Sequence, residues 1–356
     1  MNQQNPVNNE SGLALLMTVF VIALATILVM DMVTAARFEQ RAQRSFVESL
    51  QADYVLKSSI NLGRALIEMP KLDGVSEDWL GEPWALIGSA PALPISGFAG
   101  EPRMTIIDEN SKIDINAIAS ALGSQNPFES LTQNQPENPQ VISNEDFWKN
   151  ALRELFSRAG FQNESYEENS YRTPGNIGYA ASQQVAVIHD WIDKDTNSYR
   201  STLFDGEGIE SSLGKEWFYN RQLRNIAELV LVPGMTQERF VRVAPFIRVS
   251  GASAVPSRGI NVNTAPLEVL LSLGVPEEQA VELIQERANL PINQGILQTL
   301  TAGDAQLQRF STVRSSGFTV IARVVMPNTT RWMKANVSVQ GSVNNRTTRI
   351  DSVEVY

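Results

Sequence analysis

The sequence predicts an α+β protein: one very long N-terminal helix, an antiparallel sheet, and a large helical module that interrupts the strand-bearing frame. Three observations predict it. From Leu13 to Met30, within "SGLALLMTVFVIALATILVM", no residue is charged, and the chain keeps helical chemistry beyond this run as far as Glu68. Three alternating segments, "GFTVIARVVM", "RWMKANVSVQGSV" and "RTTRIDSVEVY", close the chain as strands of an antiparallel sheet do. Between these and an earlier alternating stretch, "RMTIIDENSKIDIN", lie segments of helical period separated by polar, Gly- and Pro-bearing loops.

The first element follows from its apolar run. At ~1.5 Å of rise per residue the uncharged stretch nearly matches a bilayer core of roughly 30 Å, so it can span a membrane. A discarded secretory signal would show a basic leader and a small-x-small site after the apolar core. Here the leader "MNQQNPVNNESG" has no Lys or Arg, and "MVTAARFEQRAQRSF" continues with helix formers. Beyond Arg37 the apolar residues Phe46, Leu50, Tyr54, Leu62 and Leu66 stand four or eight apart, which predicts a stripe along one face. Pro70 and Gly74 end the helix, giving about 55 residues and roughly 80 Å, half in lipid and half against a soluble domain. Asp31, on the edge of the apolar run, reads either as interfacial or as the partner of a charge on another subunit.

Residues 74 to 103 read as irregular, and "RMTIIDENSKIDIN" as a hairpin turning about Glu109 to Ser111. A polar loop, "FESLTQNQPENPQVISNE", precedes the helix "EDFWKNALRELFSRAGF"; a second, "QNESYEENSYRTPGNIGYA", leads into the helix "SQQVAVIHDWI". Two echoes follow. "KIDINA" at 112 recurs 147 residues later as "GINVNT" at 259, each a short strand ending on Asn where a helix N-cap is wanted. "AELVLVPGMTQERF" at 227 aligns with "LEVLLSLGVPEEQA" at 267, a constant offset of 40 that pairs Gly234 with Gly274. Both copies read as helix, Gly turn, helix.

Composition excludes several chemistries. The net charge of −10 opposes binding to phosphate backbones. The absence of cysteine excludes disulfides, thiolate zinc sites and a cysteine nucleophile. Any imidazole-dependent site must use His189, the single histidine, which reads as a structural residue beside Trp191. Helix, Gly turn, helix is also how DNA-binding hairpins hold phosphates, but Glu268, Glu277, Glu278, Glu282 and Glu286 surround the second copy, so no nucleic-acid partner is expected. In "DWIDKDTNSYRSTLFDGEGIE" Asp193, Asp195 and Asn197 alternate as the first three ligands of a calcium loop do, and Asp205, Glu207 and Glu210 could complete an oxygen shell. This is half of an EF-hand pattern, without Gly at the sixth position; on residues alone a solvated acidic loop is the commoner reading.

A short polar leader ending in Gly12, followed at once by the apolar stretch and a long helix, resembles the class III signal of type IV pilins and type II secretion pseudopilins. "DENSKIDINAIA", "HDWIDKD", "NIAELVLVPGM", "INVNTAPLEVLLSLG" and "FTVIARV" resemble, in order and over nearly the whole chain, the protein K family of the general secretion pathway, large minor pseudopilins. The resemblance implies a pilin-like α+β fold with a long N-terminal helix and antiparallel sheet, interrupted by a helical domain of SAM-like, helix-hairpin-helix-like repeats. Its expected divisions are a cleaved leader at 1–12, the stalk helix at 13–69, a first pilin-like part at 70–117, the inserted helical domain at 118–310, and the closing sheet at 311–356.

The same resemblance implies a prepilin peptidase that cuts after Gly12 and methylates Leu13, a single pass through the bacterial inner membrane with the C-terminal domain in the periplasm, and minor pseudopilins I and J as partners in the pseudopilus of the type II secretion system. It implies no catalysis, and calcium in the loop that holds Asp193, Asp195, Asn197, Asp205, Glu207 and Glu210. Met17 stands where most pilins have Glu five residues after the cleavage point. That Glu is thought to neutralise the amine of a subunit already in place, so its absence, typical of protein K, implies a subunit that enters first and sits at the tip. Two rival readings share the anchor: a type IV pilus minor pilin, and an anchored periplasmic hydrolase using a metal and carboxylates such as Asp190 and Asp193.

Overall fold

The computed structural model describes residues 10–71, 74–92, 95, 98, 100–119, 143–165, 177–213, 217–250, 259–327, 329–342 and 345–356. Most of the leader, most of the loop at 128–145 and the middle of the loop at 162–180 lie outside these residues. Helix α1 runs unbroken over Glu10–Glu68, 59 residues, or about 90 Å at 1.5 Å per residue. Its sequence explains its length: between Pro6 and Pro70 there is no proline, and glycine occurs only at 12 and 63. Within the apolar part the hydroxyls of Thr18, Thr26 and Thr34 donate to the carbonyls of Leu15, Ile22 and Met30 at 2.8, 2.7 and 2.6 Å, so their polar groups are satisfied by the helix itself.

From Gly12 to Phe46 every residue of α1 is exposed. Only the last five turns meet the rest of the fold, through Ala52, Leu56, Ile60, Gly63 and Ile67. The expected stripe is mostly on the uncovered face: Phe46, Tyr54 and Leu62 are 69%, 64% and 42% exposed and Leu50 is exposed beside them, whereas Leu66, at its end, packs against the core. Gly63 accounts for the difference. A Cβ at Gly63 would lie 2.7 Å from Val320 Cγ1 and 3.1 Å from Met104 Sδ, so the helix rests on the sheet at a distance that the larger side chains of the opposite face could not reach.

That sheet has four strands, β1 (Glu101–Asp108), β2 (Gly317–Val325), β3 (Thr330–Ser342) and β4 (Asn345–Val355), in spatial order β1-β2-β3-β4. All neighbours are antiparallel. Period-two alternation turns Met104, Ile106, Phe318, Val320, Ala322, Met333, Ala335 and Val337 inward to form one core with α1 and Trp84. Arg64 donates to the Thr348 hydroxyl and carbonyl at 3.0 Å each, while Glu68 accepts from the Thr348 N–H at 2.7 Å, tying the helix end to the edge strand β4.

The expected hairpin about Glu109 to Ser111 is absent. Asp108 Oδ1 accepts from the Asn110 N–H at 2.8 Å and caps a 3₁₀ turn there. Beyond that turn Ile113–Asp114 leaves the sheet and pairs in parallel with Ile247–Arg248. Both halves of the alternating pattern are strand, but they belong to different cores. The second core is helical, running from Ile113 to Val313 through α2 (Asn144–Arg158), α3 (Ala181–Ile192), α4 (Gln237–Val243), α5 (Leu267–Ser272), α6 (Glu277–Arg287), α7 (Gln294–Leu300) and α8 (Ala305–Phe310).

The shorter echo has a structural basis. Ile260–Asn261 pairs in parallel with Ser311–Thr312, as Ile113–Asp114 does with Ile247–Arg248. Asn116 Nδ2 donates to the Leu223 carbonyl at 2.9 Å and its Oδ1 accepts from the Leu223 N–H at 3.0 Å. Asn263 makes the same reciprocal clamp on Ile292, at 2.9 and 2.7 Å. Each unit thus opens on a strand and an Asn clamp, and closes on the parallel partner strand. The echo at offset 40 aligns pieces with different places in these units. Residues 226–231 form a 3₁₀ turn leading through α4 to the closing strand, whereas α5 and α6 follow directly on the opening strand and Asn263.

Candidate functional site

The acidic loop hangs from the end of α3, whose buried Val185, Ile188, Trp191 and Ile192 fix it in the helical core. Asp190 is fully buried and organises the loop's base. Its Oδ1 accepts from the Tyr199 N–H at 2.7 Å; its Oδ2 accepts from the N–H groups of Ile209 and Glu210 at 2.8 and 3.0 Å. Burial pushes its carboxyl up to about 6, against the pull of the Tyr199 and Glu210 N–H groups and with help from the Asp193 charge. His189 stacks on Tyr199 with ring centres 4.1 Å apart, and its Nδ1 lies 3.1 Å from Asp193 Oδ2, a structural place for the single histidine.

Of the six expected ligands the fold brings three together. Oxygens of Asp193, Asp195 and Glu210 all lie within 4.8 Å of one another. Asn197 contributes its backbone N–H, which donates to Asp195 Oδ1 at 2.8 Å, and its side chain stays exposed. Glu207 turns outward to pair with Arg200 at 2.9 Å, and Asp205 is exposed. The sequence reading missed Asn220. It sits in the left-handed region at φ 46°, where Asn is tolerated better than most residues, and donates to the Asp195 carbonyl at 2.7 Å and to Glu210 Oε1 at 2.8 Å. No spacing rule links it to the loop; tertiary folding alone brings it there.

Three carboxylates at this distance repel one another unless a cation or protons stand between them. Asp193 Oδ1 and Asn220 Oδ1 are buried acceptors with no hydrogen-bond partner, an expensive arrangement in a folded protein. Hard oxygen donors, several anionic and two of them unpartnered, fit a calcium-type ion. Asp193, Asp195 and Glu210 would hold it, with Asn220 orienting Glu210, and it would offset their negative charges. Asp190, a candidate catalytic carboxylate of the hydrolase reading, has both oxygens occupied by backbone donors and belongs to the scaffold.

The would-be phosphate turns are also placed. The Gly234 turn packs inward, and a Cβ there would lie 2.3 Å from the Tyr179 ring. Arg239 is fully buried, donating to the carbonyls of Tyr179 and Gln162, and Arg242 donates to the Ala159 carbonyl at 2.9 Å. Arg239 is thus spent on the core, while the half-buried Arg242 is engaged by the Ala159 carbonyl and lies beside Glu238. At the other end of the molecule Gly12 and Leu13 lie in the first turns of α1, in a helix long and apolar enough for a single-pass anchor.

No family model matches the chain. Over 292 residues, 79% of its length, it is 25% identical to the type II secretion system protein K of Klebsiella pneumoniae, covering 76% of that protein. The chain is a homologue of type II secretion system protein K. Its fold also matches a chain of the crystal structure of the GspK-GspI-GspJ complex from the enterotoxigenic Escherichia coli type 2 secretion system, with a TM-score of 0.58 and 18% identity. That match spans 88% of this chain and 99% of the other, so the overall α+β fold is shared.

Proposed function

We propose that the chain is a minor pseudopilin of a type II secretion system. In this reading it is a non-enzymatic subunit that, with the minor pseudopilins I and J, caps and nucleates the periplasmic pseudopilus during export of folded proteins across the outer membrane. The observation that carries the reading is the bare helix. From Gly12 to Phe46 α1 has no exposed side chain covered by its own fold, and the outward face goes on through Leu50, Tyr54 and Leu62. So much apolar surface needs lipid or other helices, at roughly 1.5–3 kcal/mol for each large side chain buried. The homology to protein K, and a fold shared with a chain of a complex containing GspI and GspJ, support partner stalks as the second environment.

The finer steps belong to the same proposal. The leader is removed by prepilin peptidase after Gly12, leaving a methylated Leu13; the helix first anchors the protein in the inner membrane with its head in the periplasm, then packs beside the stalks of I and J. Met17 lets the first subunit bury its N-terminal turns with no unpaired carboxylate, and the large head fits a tip better than a shaft. Calcium between Asp193, Asp195 and Glu210 staples the acidic loop, in a chain that has no cysteine to do so. Co-expression of the full chain with the I and J pseudopilins of its host tests the function. A ternary complex is expected after detergent extraction; failure of either partner to co-purify, with all three expressed and inserted, would count decisively against it.

A further inference from the structure

We propose that Arg37, Arg41 and Arg44 form a phosphate-gripping ridge that seats the stalk on the anionic phospholipid headgroups of the membrane its apolar segment crosses. The inference rests on reading α1 as a membrane anchor, and adds to it a lipid class and a site. The three arginines stand four and three residues apart on an unbroken helix, so at 3.6 residues per turn they share one narrow face. All three are exposed, and no ion pair engages them among the described residues. The same face continues downward through Met30 and Val33, both apolar, while Glu39 points to the opposite side and Asp31 lies about a third of a turn away. Glu48 shares the face only one turn above Arg44, beyond the headgroups.

Height agrees with charge. Some 20 helical residues cross a bilayer core of roughly 30 Å, so a span that begins near Leu13 ends near Met32 and places Arg37 about 7 Å further, within the headgroup layer. Arg41 and Arg44 rise about 6 and 10 Å above Arg37. Side chains on a helix tilt toward its N-terminus, which here is toward the membrane, and long arginine stems let the guanidinium reach back to the interface. Each planar fork then meets phosphate oxygens in pairs. The rest of this acidic chain would be repelled by an anionic surface; the ridge, three arginines against the single Glu39 between residues 32 and 47, is the local exception. It would hold the head at a fixed height until assembly pulls the helix from the bilayer.

The test uses the full chain in nanodiscs of equal phosphatidylglycerol and phosphatidylcholine, read by native mass spectrometry of the lipids it retains on release. Phosphatidylglycerol should be enriched, and R37Q/R41Q/R44Q should erase the enrichment, at roughly fivefold in relative affinity for each arginine. Arg200→Gln with Arg349→Gln, on the head, should leave it unchanged, and an unaltered melting temperature would show that the triple variant folds. Equal retention of both lipids by the wild type, enrichment that survives in the triple variant, or displacement of the lipid by millimolar inorganic phosphate would each overturn the proposal. A chain that stays soluble without detergent or lipid would instead defeat the anchor reading, and loss of I and J binding would defeat the functional one.

Discussion

Asp190 accepts three backbone N–H groups at the base of the acidic loop, and Asn220 reaches in from a left-handed turn to two of the loop's oxygens. These two residues do different work from the carboxylates they support. Replacing Asp190 by Asn would aim an amide NH₂ at backbone donors and cost about 1–3 kcal/mol, lowering the melting temperature with or without metal. Calcium should raise the melting temperature of the full chain in detergent, by about 2.7 kcal/mol of added stability at a hundredfold excess over Kd. Asp193→Asn and Glu210→Gln should abolish that rise while the metal-free melting temperature changes little; an unchanged calcium response in both would sink the metal site. Asp193, Asp195 and Glu210 could be named from the sequence because carboxylates are the residue types a hard cation needs. Asn197, Asp205 and Glu207 could not be excluded there, since spacing does not say which way a loop side chain turns.

At the scale of elements, α1 and the paired Asn clamps show how far periodicity reaches. A 3.6-residue period says that a helix has faces but not which face is covered; here the sheet covers Ala52, Leu56, Ile60, Gly63 and Ile67, the face on which Gly63 leaves room for Val320 and Met104. The echo of "KIDINA" in "GINVNT" was legible because both copies need the same residue types for the same local job. Asn116 and Asn263 each satisfy a backbone N–H and C=O on a distant loop, at Leu223 and Ile292. Asn116→Ala or Asn263→Ala leaves both backbone groups buried and unpaired. Each should lower stability in chemical denaturation by about 2–4 kcal/mol, and the conservative Asp variants should restore little, because Asp supplies no donor to the carbonyl.

At the scale of the whole molecule, the two cores meet in a buried polar junction. Asp108 Oδ2 accepts from the Ser315 and Thr264 hydroxyls at 2.5 Å each, Asn261 Nδ2 donates to the Asp78 carbonyl at 2.9 Å, and Asp78 pairs with Lys71 at 2.7 Å and with Arg346. Burial pushes Asp108 up to about 6, opposed by its two hydroxyl donors and reinforced by the Asp78 charge. Asp78 would also rise on burial, but Arg346 and Lys71 hold it below the ordinary carboxylate range; Glu109 behaves alike beside Lys112. The signs follow from linkage. Asp108 and Asp190 bind protons more readily folded than unfolded, so their contribution grows as pH falls from about 6 toward 4. Asp78 and Glu109 bind them less readily, and the stability they contribute is lost as pH falls through the ordinary carboxylate range. Metal-free protein should therefore melt highest near pH 5, about two units below neutrality; a melting temperature that declines steadily from pH 7 would contradict the assignment.

By itself the sequence determined the long helix, its membrane-length apolar run, the three closing strands and the repeated strand-to-Asn motif. Each is set by local physics: freedom from Pro, absence of charge, period-two alternation, and a polar side chain placed to satisfy nearby backbone. Only the tertiary structure decided that Ile113 and Asp114 leave the sheet to pair with Ile247 and Arg248, which face of α1 meets Val320, and that Asn220 joins Asp193, Asp195 and Glu210. Those outcomes depend on groups brought together from far apart in the chain, where close packing and the need to partner buried polar atoms choose among arrangements that local pattern leaves equal.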